Sequence, residues 1–222
     1  MTNDLTKGER SRKKLVDTTA ALLRRQGYHA TGLAQIVAES GAPRGSLYFY
    51  FPGGKDDLAI AALQASSDAW RTHLLAAIGN APDLGAALDA LVTALADELE
   101  ASGWVHGCPV ATVALESPSD PVRTMIADHF QGWLEFSVHM LVHFGIGREV
   151  AEEMSLVALS ALEGALLLAR VQRSRAPLLA VARALRRMAE PHLRPTTTTA
   201  ATSSVTAAPT PAPRKKPAAR RA

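Results

Sequence analysis

Residues 31–58, TGLAQIVAESGAPRGSLYFYFPGGKDDL, constrain the fold more than any other stretch of the chain. Leu33 to Ser40 carries Leu33, Ile36 and Val37 at helical spacing, which predicts a short helix. Gly41 follows, and glycine most easily takes the left-handed conformation that ends a helix. Pro43 suits the opening of a second helix, where its missing N–H is not needed. That helix, about Arg44 to Tyr50, reads Arg-Gly-Ser-Leu-Tyr-Phe-Tyr. Such a row is out of place on an ordinary solvated surface. Its outer face suits contact with something polar and flat. A helix-turn-helix whose second helix enters the DNA major groove fits the pattern.

The rest of the chain is consistent with an all-α protein. At 222 residues it is long enough for a substantial core and one or two domains. It is rich in Ala, Leu and Arg, with only 5% aromatic residues and few long β-branched runs. The single cysteine, Cys108, excludes an internal disulfide and suits a reducing cytoplasm. No charge-free apolar run reaches bilayer length, and the polar start MTNDLTKGERSRKK has no signal-peptide core behind it. The expectation is a soluble cytoplasmic protein with no membrane partner. Charge is unevenly spread: residues 1–60 balance at +3, residues 61–194 at −5 and residues 195–222 at +5. A basic front, an acidic middle and a basic end suggest that only part of the molecule meets a polyanion.

Breaks in the pattern divide the chain into a flexible arm over 1–8, a DNA-binding domain over 9–54, a helical regulatory and dimerisation domain over 55–194, and a disordered basic tail over 195–222. The first helix reads Glu9 to Gln26, with Leu15, Thr19, Leu22 and Leu23 on one face. Arg10, Arg12, Lys13 and Lys14 near its start oppose the helix dipole, a conflict that an external anion would relieve. Gly27 ends this helix, and Thr31 is placed to cap the next. Further helices are expected over Lys55–Ile78, Leu84–Ala101, Val110–Glu116, from the Pro118/Pro121 pair to about Phe144, Arg148–Arg173 and Pro177–Leu193. The tail, TTTTAATSSVTAAPTPAPRKKPAARRA, has no apolar periodicity with which to offset its ordering entropy.

The segment 9–60 resembles the TetR family of bacterial transcriptional regulators. The resemblance is carried by Gly27-Tyr28, Thr31-Gly32, Ile36, Gly41, Gly45-Ser46-Leu47-Tyr48, Tyr50-Phe51 and Lys55-Asp-Asp-Leu58. Tyr-Phe-Pro-Gly-Gly-Lys at 50–55 and Gly-Cys-Pro-Val-Ala at 107–111 look like the LmrA/YxaF-type subgroup. The resemblance implies a three-helix DNA-binding domain, a larger helical regulatory domain and a homodimer built from the last two helices. It also implies a repressor in the bacterial cytoplasm, on the nucleoid when bound, whose two reading heads move apart when a small molecule binds.

Within that frame the residues suggest roles. Leu47 should face the small core, with Phe51 just past the helix end. Arg44, Gly45, Ser46, Tyr48, Phe49 and Tyr50 are left for the groove. Arg44 can donate to guanine or phosphate, Gly45 permits close backbone approach, and Ser46 can reach a base edge. The Tyr48 and Tyr50 hydroxyls suit phosphates, and Phe49 a thymine methyl. Thr31 and Lys55 would hold phosphates from helix N-termini. The alternative for these aromatics is the core of a three-helix domain.

A small-molecule pocket is expected among Trp70, Trp104, His106, His129, Phe130, Trp133, Phe136 and Glu163, with plain core packing as the alternative. A dimer interface is expected from Ala158, Ala161, Leu162, Ala165 and Ala169 on the penultimate helix and Leu178, Val181, Ala182, Leu185 and Met188 on the last. Burial inside one protomer is the competing reading. His139 and His143 lie i, i+4, and His106 is close to Cys108, but no further ligand pattern supports a metal, so no metal and no cofactor are expected. No GxSxG elbow, Walker loop, HExxH or paired-carboxylate motif supports an enzyme. A sequence-tolerant architectural protein that uses the basic tail is the second functional reading.

Overall fold

The computed structural model describes residues 5–116 and 119–193. The expected basic tail, Arg194, Pro118 and residues 1–4 of the expected arm lie outside the described residues. Among the described residues every regular element is helical. They are α1 Lys7–Gln26, α2 Leu33–Ser40, α3 Arg44–Tyr50, α4 Lys55–Ile78, α5 Leu84–Ala101, α6 Pro109–Ala114, α7 Asp120–His143, α8 Arg148–Gln172 and α9 Ala176–Ala189, then a 3-10 turn at Glu190–His192. The all-α expectation holds.

Several boundaries differ from the sequence reading, and two of them have a clear local reason. The arm is shorter than expected, because α1 begins at Lys7 behind a capping box. The Thr6 N–H donates to Glu9 Oε2 (2.8 Å) and the Glu9 N–H donates to Thr6 Oγ1 (3.2 Å). An acidic group therefore already sits at the positive end of α1, which eases the conflict posed by its basic residues. At the other end α9 stops at Ala189 rather than Leu193. Pro191 lacks the N–H that an α-helix needs there, and the chain tightens into the 3-10 turn.

The N-terminal head is α1 with α2 and α3 folded against it, but the head does not close its own core. Leu15, Leu22, Leu23, Ile36, Leu47 and Phe51 pack in one cluster with Leu58 and Leu63 of α4 and with Val110 and Val113 of α6. The body is built by α4, α5, α8 and α9 around Val92, Leu95, Leu99, Ala165, Leu166, Leu178 and Ala182. A third cluster at the far end joins Leu84, Val138, Leu141, Ile146 and Met154. Arg175 at the start of α9 pairs with Asp97 (2.6 Å) and Glu100 on α5. Arg186 pairs with Asp89 and donates to the Gly85 carbonyl (2.9 Å).

Head and body are clasped at the α1–α2 loop. The His29 N–H donates to Glu116 Oε2 (2.7 Å), and His29 Nε2 pairs with the Glu116 carbonyl at 2.7 Å. The fit requires Gly27: its φ is +79°, and a Cβ there would lie 1.6 Å from Glu116 Oε1. The neighbouring Tyr28 hydroxyl donates to Asp56. Burial, then that carboxylate, pushes the Tyr28 hydroxyl up to about 12. The same hydrogen bond chiefly holds Asp56 below the usual carboxylate range.

One polar pair is set into the body. The Glu163 carboxyl on α8 meets the Cys108 thiol at the start of α6. Burial raises the Glu163 pKa above its usual 4.5. Burial first, and the nearby Glu163 second, push the Cys108 thiol up to about 12. The folded protein therefore holds the Glu163 proton to higher pH than the unfolded chain does. It loses stability as pH rises from 4.5 through the raised value. Glu163→Gln removes that loss. In thermal unfolding the variant should gain on the wild type as pH rises from 4.5 to neutral, and the gain should vanish below 4.5. A difference that ignores pH would show that this carboxyl titrates ordinarily.

Candidate nucleic-acid interface

The turn between α2 and α3 is fixed by three adjacent residues. Gly41 adopts φ 61°, ψ 16°, the left-handed conformation the sequence anticipates. Ser40 Oγ bonds the Val37 carbonyl (3.2 Å) and accepts from the Ala42 N–H (3.2 Å). Ala42 is itself buried in the head core. Ser40 and Ala42 are structural parts of the site that sequence reasoning passed over. The Ser-Gly-Ala-Pro run was their only signal, because a serine at a helix end often bonds nearby backbone. Pro43 stands at the N-cap of α3 rather than inside it.

α3 presents two faces. Leu47 is 1% exposed and Phe51, its C-cap, 3% exposed, so both anchor the helix from behind. On the outer side Tyr48 is 54% and Phe49 77% exposed. Arg44 and Gly45 are exposed as well, and Ser46 is half-buried at the margin. Nothing lies within 4 Å of where a Gly45 Cβ would stand, so the backbone there is open to close approach. Tyr50 is half-buried, edge-on to Phe49 with ring centres 4.8 Å apart. Its hydroxyl lies over Gly8 at the start of α1, where a Cβ would come within 2.4 Å. Arg12 of α1 stands 5.6 Å from the Phe51 ring and extends the basic edge beside α3.

Two expected phosphate contacts are placed differently. Thr31 does not cap α2; the N-cap is Gly32. Thr31 is 1% exposed, and its hydroxyl donates to the Gly27 carbonyl (2.6 Å). Its side chain is used to close the α1–α2 loop and does not face outward. Lys55 stands at the start of α4, but its ammonium lies 4.3 Å from the Tyr28 ring centre and 3.4 Å from the His29 carbonyl. It is tied to the loop that Glu116 clasps.

In the body, Trp70, Trp104 and Trp133 are all half-buried and pack at the rim of one apolar cluster, beside Cys108 and Leu162. Along α7, His129, Trp133 and Phe136 form an edge-to-face string, with ring centres 6.4 and 5.8 Å apart. Burial lowers the His129 pKa, opposed by Asp68. Phe130 packs on the head cluster instead, and His106 lines a separate cleft between α1 and α4. Trp104 is held at φ 67°, a left-handed conformation that costs an ordinary residue about 1–2 kcal/mol. No sequence signal marks it. His139 Nδ1 is bonded to the Glu135 carbonyl (2.7 Å).

The small-residue stripe does not form an outer face. Ala165, Ala169, Leu178, Ala182 and Leu185 are buried within the protomer, and Ala158, Ala161, Leu162 and Val181 are half-buried. Of the expected set only Met188 is exposed. The outward side of these helices carries Leu156, Val157, Leu167, Leu168 and Val171 on α8 and Leu179 on α9. By length and a mean hydropathy of 1.7, α8 is apolar enough to cross a bilayer. In the fold it packs against α7, α9 and α5 and carries Glu163.

Residues 15–62 match the family model of the N-terminal region of the TetR family of bacterial regulatory proteins. Residues 85–184 match the C-terminal domain of LmrA/YxaF-like transcriptional regulators. An HTH-type transcriptional regulator of Mycobacterium tuberculosis is 36% identical over 184 residues, covering 80% of this chain and 93% of the relative. The HTH-type regulator LmrA of Bacillus subtilis is 33% identical over 171 residues, covering 76% and 91%. Among solved structures, a TetR transcriptional regulator from Chloroflexus aurantiacus superposes with a TM-score of 0.72 at 25% identity, over 86% of this chain and 99% of that one. A TetR-family regulator from Cytophaga hutchinsonii gives 0.74 at 20% identity, over 87% and 100%. The chain therefore belongs to the TetR family of DNA-binding transcriptional regulators, in its LmrA/YxaF-like branch.

Proposed function

We propose that the protein is a cytoplasmic repressor that binds a palindromic operator as a homodimer and leaves it when a small hydrophobic or aromatic effector binds. One observation carries the DNA-reading part. Two large aromatics and an arginine stand exposed on a helix whose other side is sealed into the head. Exposed aromatic surface of this kind marks an interaction site. Arg44 at the start of α3 would read a base or hold a phosphate, with Gly45, Ser46, Tyr48 and Phe49 along the groove. Tyr50, beside the α1 N-terminus, would meet the backbone, as would Lys55 if it leaves the Tyr28 ring.

The effector reading rests on the three tryptophans, which pack on the same apolar cluster as Cys108, and on the position of α6. This helix has Cys108 at its start, in contact with both apolar clusters, and Glu116 just beyond its end, bonded to His29. A ligand that repacks the tryptophan rim would displace Cys108 and draw the α1–α2 loop with it. The signal is a shift between two packed arrangements.

The dimer reading rests on the outward apolar side of α8 and α9, with Leu167 58% and Val171 75% exposed. A self-complementary contact across a two-fold axis would cover both copies at once. Met188 belongs to this face; the small-residue stripe supports it from inside.

Three outcomes test these statements. Arg44→Ala should weaken binding to a site selected from random DNA by about 1–3 kcal/mol in a gel-shift titration, against an unchanged fold by circular dichroism. Equal binding would remove Arg44 from the interface. Leu167→Glu with Leu168→Glu should turn a dimer into a monomer in analytical ultracentrifugation, and a dimer that persists would move the interface elsewhere. Tryptophan fluorescence should change on adding any compound that releases DNA, and a silent signal would exclude the tryptophan rim.

A further inference from the structure

Lys55 is the first residue of α4, a helix of 24 residues. A cation at that place opposes the helix dipole. The side chain is nonetheless half-buried, because it has partners there. Its ammonium lies 4.3 Å from the Tyr28 ring centre and 3.4 Å from the His29 carbonyl oxygen. The Asp56 carboxylate adds an attractive charge beside it. The same ammonium is the group that the DNA reading places on a phosphate, and it cannot occupy both places.

The loop that holds it is bonded within itself. The Thr31 hydroxyl donates to the Gly27 carbonyl (2.6 Å) and the Thr31 N–H to the Tyr28 carbonyl (3.1 Å). Gln26 Nε2 donates to the Ala30 carbonyl (2.7 Å). The carbonyl between these, that of His29, is the one that Lys55 takes. Tyr28 is buried and its hydroxyl is tied to Asp56, so the ring beneath the ammonium is fixed as well. From the body, Glu116 grips the loop at the His29 N–H and at His29 Nε2, both at 2.7 Å. Glu116 therefore keeps the seat of Lys55 in place over the start of α4.

We propose that this contact is autoinhibitory: the α1–α2 loop withholds Lys55 from a DNA phosphate in the free protein, and Glu116 is the positioning residue that sets how firmly. The proposal rests on the DNA reading above. It adds a control of affinity that needs no change in the distance between two heads. A phosphate must displace the ammonium from the ring and the carbonyl. Binding DNA and seating Lys55 in the loop therefore oppose each other, and each changes the free energy of the other. A movement of α6 reaches the DNA contact through Glu116.

The test is gel-shift titration of the full-length protein on a site selected from random DNA, repeated over a range of salt concentrations. Lys55→Gln should weaken binding and lower the slope of log affinity against log salt by about one. Glu116→Ala should strengthen binding about two- to fivefold, the worth of one exposed cation–π contact. That gain should vanish when Glu116→Ala is combined with Lys55→Gln. Glu116→Gln keeps an acceptor for the His29 N–H and loses only the charge, so it should bind as the wild type does. His29→Ala, at an exposed position, loosens the same grip from the other side and should repeat the gain where Glu116→Ala does not fold. Thermal unfolding of each variant separates changed binding from lost fold. An unchanged salt slope in Lys55→Gln overturns the proposal. So does the absence of a gain on loosening the grip, a gain that persists without Lys55, or an equal gain in Glu116→Gln. A wild-type protein that binds no selected site overturns the DNA reading on which the proposal rests.

Discussion

Leu47 and Phe51 lie one helical turn apart, and their burial holds α3 in place. A helix of seven residues is far too short to be stable in water on its own account. Fully burying side chains of this kind contributes about 1.5–3 kcal/mol each, a gain that depends on the packing of the head and not on the helix alone. The direction of every outward residue of α3 follows from that anchor. With Leu47 pinned inward, Tyr48 and Phe49 have nowhere to go but out. The cluster that receives the anchor includes Leu58 of α4 and Val110 and Val113 of α6. The posture of α3 is therefore set partly by residues outside the head. A head whose core is completed by another domain cannot be indifferent to how that domain packs.

That dependence gives α6 its importance. Only six residues long, it has little stability of its own and is placed by what touches its two ends. At one end Cys108 packs on the cluster that the tryptophans also rim and lies against Glu163; at the other, Glu116 grips the backbone of His29. Its buried face, Val110 and Val113, belongs to the head cluster. A short element with different partners at each end moves as a unit when one end is disturbed, because close-packed surroundings do not deform continuously. Gly27 is what allows the grip to be so close.

Much of this was legible in the chain, and the failures share a cause. The α2–turn–α3 unit could be read because its determinants are local: Gly41, Pro43 and an i, i+4 apolar pair all act within a few residues. The same holds for the Thr6–Glu9 capping box, whose T-x-x-E spacing is local as well. What could not be read depends on contacts between distant segments. Thr31 has the residue type of a helix cap, yet its hydroxyl is used to close the loop at Gly27. The Glu116–His29 clasp spans 87 positions and leaves no periodic trace. The alanine stripe on α8 was visible, but periodicity shows only that a face is apolar and close-packing. It does not show whether the partner is α9 of the same chain or a second chain.

α8 is apolar on more than one side. Ala165, Leu166 and Ala169 face α9 and α5 of the same protomer, while Leu167, Leu168 and Val171 face away. A helix apolar all round is ordinarily surrounded on every side. The small residues lie on the inner side, where they let α9 come close and where Leu178 and Ala182 fill the space. The large residues lie outside, where each would remove more apolar area from water when covered. Inside, stability comes from fit between helices that the chain already holds together. In the proposed dimer, an association through the outer face would have to overcome the loss of translational freedom, which calls for large apolar side chains rather than small ones.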